Sequence, residues 1–173
     1  MKFTDGAWMT REGFNIHKAC EVRFVKNTDK KLTLTVPTYK IYGKGMTLGG
    51  VFLTVEITSP IENVFKIRTY HHKGDKSLEP SYFVTSDSEA DLAVSEDAEL
   101  ITLISGDSKL LISKENFSLK LYRGAKLITA SEGGALAYID GSNGSYMREQ
   151  LSLRVGEHVY GLGERFGAFI RNG

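Results

Sequence analysis

The chain has 173 residues, with 22 Lys and Arg against 21 Asp and Glu and a formal net charge of +1. That length suits one domain, large enough to bury a core without staples. The balanced charge leaves no cationic excess for phosphates or anionic lipid, which sets nucleic acid and membrane surfaces aside as partners.

From the N-terminus, residues 1–12 carry Asp5, Arg11 and Glu12 and hold no apolar run of signal-peptide length. No segment approaches the ~18 apolar residues of a membrane span. The expected compartment is therefore cytoplasmic, and the glycosylation sequons at Asn116 and Asn143 are expected to be chance matches. The single cysteine, Cys20, can form no intramolecular disulfide and lacks metal-ligand spacing.

The dominant period along the chain is two. Leu32, Leu34 and Val36 alternate with Thr33 and Thr35, and Val51, Leu53, Val55 and Ile57 alternate with Phe52, Thr54 and Glu56. Phe65 and Ile67 alternate with Lys66 and Arg68, Phe117, Leu119 and Leu121 with Ser118, Lys120 and Tyr122, and Leu151, Leu153 and Val155 with Ser152, Arg154 and Gly156. Such segments put one face on a core and the other in water. Turn signals fall between them at residues 27–31, 73–76, 106–107, 123–124, 140–141 and 143–144. Asp140-Gly141 and Asn143-Gly144 are the strongest hairpin dipeptides. About ten strands follow, giving an all-β, antiparallel two-sheet β-sandwich. Residues 86–97 form the only weakly helical stretch, and the absence of βαβ alternation excludes a TIM barrel or Rossmann domain.

Candidate chemistry is sparse. Gly43, Gly45, Gly49 and Gly50 resemble neither a dinucleotide fingerprint, since Leu48 stands where glycine is needed, nor a Walker loop. They read as a flexible connection. His71 and His72 close the strand of Phe65 and Ile67, and strand parity sends them to opposite faces, so they cannot share an ion without a bulge. No Gly-x-Ser-x-Gly elbow is present. Glu89, Asp91, Glu96, Asp97 and Glu99 read as a solvated edge. Tyr39, Tyr42, Tyr70 and Tyr82 could offer sugar platforms, but tyrosine is equally common in sandwich cores and rims. No metal or cofactor is expected.

The informative stretch is residues 159–173. Gly161 and Gly163 permit a sharp bend after Tyr160, the pair Glu164 and Arg165 follows, and Phe166, Phe169 and Ile170 are apolar residues suited to packing on another surface. The expected organisation is a sandwich over residues 1–160 and the start of a junction over 161–173.

The run Tyr160-Gly161-Leu162-Gly163-Glu164-Arg165-Phe166 resembles the segment leading from the N-terminal β-sandwich to the catalytic barrel in glycoside hydrolase family 31. Residues 169–173 and 1–8 look like the α-xylosidase branch, and residues 117–124 with Leu127, Ile128 and Thr129 are similar to the family's sandwich hairpin. The resemblance implies a galactose-mutarotase-like fold. It also implies a parent enzyme that removes terminal α-linked xylose with retention and without a cofactor. The family's nucleophile is an Asp in a Trp-x-Asp-x-Asn-Glu-like motif, whereas the single tryptophan here, Trp8, precedes Met9, Thr10 and Arg11. No catalytic residue carries over to this chain. The implied partner is the catalytic barrel, with carbohydrate and self-association as further expectations. Two rival readings are a free-standing carbohydrate-binding module and a mutarotase-type epimerase; the latter rests on fold analogy alone.

Overall fold

The computed structural model describes residues 3–5, 9–74, 90–161 and 166–171. β1 (Thr4–Asp5) and β2 (Met9–Thr10) form a short ribbon ahead of β3 (Phe14–Lys18). β4 (Phe24–Thr28), β5 (Lys31–Pro37), β6 (Phe52–Thr58) and β7 (Lys66–Tyr70) then pair in sequence as a four-stranded antiparallel sheet. β8 (Ala93–Glu96), β9 (Leu100–Ser105), β10 (Ser108–Ser113), β11 (Ser118–Arg123) and β12 (Lys126–Ser131) form a five-stranded sheet in the same consecutive manner. β13 (Ala137–Gly141) lies between β14 (Gly144–Arg148) and β3 in a third sheet.

The alternation in β5 and β6 resolves as expected. Leu32, Leu34, Val36, Leu53, Val55 and Ile57 are fully buried, while the threonines between them stay partly open. They join Ile101, Leu103, Leu110, Ile112 and Leu119 of the five-stranded sheet in one cluster. Each such side chain stabilises the fold by about 1.5–3 kcal/mol through burial. Tyr138 of β13 packs against this cluster, so the third sheet is anchored to the sandwich. The domain is all-β and antiparallel.

Four local expectations need correction. Residues 93–96 are strand, not helix: β8 pairs with β9 from Ala93↔Ile104 to Glu96↔Ile101, and Val94 packs on the core. Residues 86–89 lie outside the described region. The glycine-rich connection is a defined 3₁₀ turn, Lys44–Leu48, closed by the Tyr39 hydroxyl donating to the Met46 carbonyl at 2.6 Å. Asp140-Gly141 is not a turn but the end of β13, and Ser142-Asn143 makes the bend, because Gly141 pairs with both Phe14 and Gly144. Its missing Cβ makes room for the Phe14 ring, which would lie 2.6 Å from that atom.

The fourth correction concerns Leu151, Leu153 and Val155, which are exposed and outside any strand. The segment does lie along β12. Ser152 N–H donates to Ala130 O at 2.7 Å, and Arg154 Nη2 donates to Leu127 O at 3.0 Å. A ladder needs backbone groups to exchange bonds repeatedly. Here side chains supply most of them, so the alternation has no sheet to extend.

Candidate functional site

The last strand ends at Arg148, and the chain after it exposes apolar side chains. Leu151, Leu153 and Val155 open this run, and Tyr160, Phe166, Phe169 and Ile170 continue it. Phe166 and Phe169 are 109% and 79% exposed, which no ordinary closing element of a core would show. The structure brings Tyr160 and Phe169 together, ring centroids 5.2 Å apart, and Arg171 N–H donates to Val159 O at 2.8 Å. Residues 159–160 and 169–171 thus lie side by side. Gly161 has φ +87°, the left-handed conformation that favours glycine, at the bend expected after Tyr160. Gly163, Glu164 and Arg165 lie outside the described residues.

A second constellation was not legible beforehand. β7 ends at Tyr70, so His71 and His72 sit in the bend beyond it, where strand parity no longer holds. Their rings are in contact, with centroids 3.9 Å apart, rather than on opposite faces. His71 Nδ1 lies 2.8 Å from the Phe52 carbonyl oxygen. A carbonyl only accepts, so Nδ1 carries a proton, and in the neutral ring Nε2 keeps its lone pair. The Tyr138 ring lies 4.9 Å from that of His71 and 6.1 Å from that of His17, and His17 Nε2 is 2.8 Å from Asp140 Oδ2. The β3–β13 register, with Tyr138 opposite His17 and Ile139 opposite Ile16, assembles this group. Among the described residues, no group of three or more His, Cys, Asp and Glu is arranged to hold a metal.

The polar network on the four-stranded sheet is better explained as structure. Glu56 Oε1 accepts from Lys31 Nζ and from the Tyr70 hydroxyl, both at 3.2 Å. Burial pushes the Glu56 carboxyl upward, but the Lys31 hydrogen bond and charge, with the Tyr70 hydrogen bond and the Lys73 charge, together outweigh it and leave it below its ordinary value. Burial, then the Glu56 charge, raises the Tyr70 phenol.

Comparison with known proteins decides the family. Residues 54–173 match the profile described as the glycosyl hydrolase 31 N-terminal galactose mutarotase-like domain. The chain belongs to that family. This family 31 domain is 32% identical over 176 aligned residues to the α-xylosidase XylQ of Lactiplantibacillus pentosus, and 26% identical over 195 to an α-xylosidase of Emericella nidulans. Both alignments span all of this chain but only 23% and 25% of those proteins, so it corresponds to about a quarter of their length. Among solved structures, the family 31 domain is similar to part of the cycloalternan-forming enzyme of Listeria monocytogenes, with a TM-score of 0.67 and 15% identity. That match covers 91% of this chain and 14% of the enzyme. An uncharacterised protein of Listeria monocytogenes EGD-e matches with the same TM-score, identity and coverage. At 15% identity these two likenesses bear on fold alone.

Proposed function

We propose that this family 31 domain is the N-terminal sandwich of a retaining α-xylosidase, that it packs on the catalytic barrel and shapes the rim of the substrate pocket, and that it supplies no catalytic residue. The observation that carries this reading is the exposure of Leu151, Leu153, Val155, Tyr160, Phe166, Phe169 and Ile170. Exposed apolar area of this kind marks a surface that another body covers. The α-xylosidase relatives, four times the chain's length, are consistent with a barrel as that body.

The test places this chain in XylQ in exchange for that enzyme's matching N-terminal quarter and follows hydrolysis of an aryl α-xyloside. The 173-residue chain alone should show no turnover, and the chimera should be active. Phe166→Ser with Phe169→Ser should abolish the chimera's activity without changing the melting temperature of the chain alone. Full activity in the doubly substituted chimera would remove the docking role. Turnover by the chain alone, lost on changing one of its own carboxylates, would remove the non-catalytic reading.

A further inference from the structure

The rings around Tyr138 border a groove of about 340 Å³ at the end of the four-stranded sheet, formed by Tyr70, His71 and His72 on one side and Tyr138, Ser145 and Tyr146 on the other. That volume is at the small end of the range for small-molecule sites. Its chemistry narrows the ligand. Among the described residues that line it there is no Asp, Glu, Lys or Arg. The groove therefore offers no carboxylate to a cation and no ammonium or guanidinium to an anion. The walls are aromatic and imidazole rings, which offer apolar faces with polar edges.

Two of its polar groups have their direction set by a partner within the domain. In the neutral His71 ring the Phe52 carbonyl places the proton on Nδ1, so Nε2 is the acceptor, and no hydrogen bond to it is formed among the described residues. The Tyr138 hydroxyl donates to Ser145 Oγ at 2.8 Å, which leaves the Ser145 hydroxyl proton for another acceptor. One fixed acceptor and one donor beside ring faces match a molecule with neighbouring hydroxyls and an apolar C–H face. A transition metal fits less well. The two imidazole rings lie 3.9 Å apart at a tilt of 42°, and among the described residues no third His, Cys, Asp or Glu joins them as a metal ligand.

We propose that this groove is a binding site for a neutral pyranose, carried by the sandwich itself and independent of any docking on a barrel. His71 Nε2 accepts from one sugar hydroxyl, the Ser145 hydroxyl donates to an adjacent oxygen, and the C–H face lies against the Tyr138 and Tyr146 rings. The Tyr138 ring also lies 6.1 Å from the His17 ring, which is hydrogen-bonded to Asp140 Oδ2 at 2.8 Å.

The test is imidazole and tyrosine-ring NMR of the 173-residue chain during titration with D-xylose, with D-glucose, with glycerol as an acyclic polyol, and separately with zinc chloride. The expected result is saturable shifts at His71, His72 and Tyr138 with a roughly millimolar Kd for a pyranose and none for glycerol. Ser145→Ala should weaken binding about fivefold, the loss of one net hydrogen bond. His71→Phe, which keeps a ring and deletes the acceptor, should weaken it similarly. Because both variants could disturb the fold, the wild-type shift map stands as an independent readout. Linear shifts equal for xylose and glycerol, saturable shifts centred on Tyr160 and Phe169, or saturation by zinc with none by either sugar would each overturn the proposal. Failure here leaves the chimera's activity untouched, so the two readings fail separately.

Discussion

The backbone N–H of Ala130 donates to the side-chain oxygen of Ser152 at 2.9 Å, while the Ser152 N–H donates back to the Ala130 carbonyl at 2.7 Å. One residue's side chain thus stands in for a neighbouring strand and caps the edge of the five-stranded sheet. Ser152→Ala should leave the Ala130 amide unpaired and cost about 1 kcal/mol. Hydrogen exchange at Ala130 should quicken, while amides in β9 and β10 keep their protection. Unchanged exchange at Ala130 would show that water or a backbone shift replaces the hydroxyl.

Gly50 adopts φ +125°, and a Cβ there would lie 2.3 Å from the Tyr39 ring. Gly50→Ala should therefore destabilise the domain by about 1–3 kcal/mol through backbone strain and displacement of the ring. Gly45→Ala, five residues away, meets nothing within 4 Å and should be close to neutral. Urea unfolding of the two variants side by side checks the contrast.

The alternation of β5 and β6 was legible because both faces have plain environments, core on one side and water on the other. Leu151, Leu153 and Val155 carry the same pattern yet form no strand, since pattern alone cannot tell whether a partner's backbone is free to pair. The histidine groove was hidden for two reasons. Parity at His71 and His72 depends on where β7 ends, and the bond from His17 to Asp140 joins residues 123 apart in sequence. Gly141 was read as a turn residue because Asp-Gly usually is one, whereas its missing side chain serves the approach of Phe14. Gly161 was expected to permit a bend, and its φ of +87° is the left-handed conformation that glycine accepts.

The Glu56 and Tyr70 shifts predict the acid and alkaline limbs of stability. A carboxyl held below its unfolded value stabilises the fold above that value and loses this contribution as pH falls through the folded one. A phenol held above its unfolded value stabilises the fold below it and loses this as pH rises through the folded one. Lys31→Met removes the largest of the contacts that lower Glu56, so its folded value rises toward the unfolded one: the variant should be less stable than the wild type above the carboxylate range and should lose less on acidification. Urea midpoints measured between about pH 3 and 6 test this, and superimposable curves would count against Lys31 as the holding charge.

Gly161→Val forces a β-branched residue into the left-handed region, though its Cβ would meet nothing within 4 Å. The bend lies outside every sheet. The isolated chain should therefore keep its melting temperature, whereas the XylQ chimera should lose soluble yield and activity. Equal losses in both would place the bend inside the domain's own cooperative unit.

The two larger sheets are meanders in which every strand pairs with its neighbour in sequence, but β13 must find β3, and their paired residues span Phe14 to Gly141. Closing a loop of that length carries a larger entropic cost than forming a hairpin. Assembly on a ribosome would thus proceed with both meanders able to zip while the N-terminal strand waits. β3 would lock only once residue 141 has emerged, and it would do so before anything encoded further along could press against the finished face.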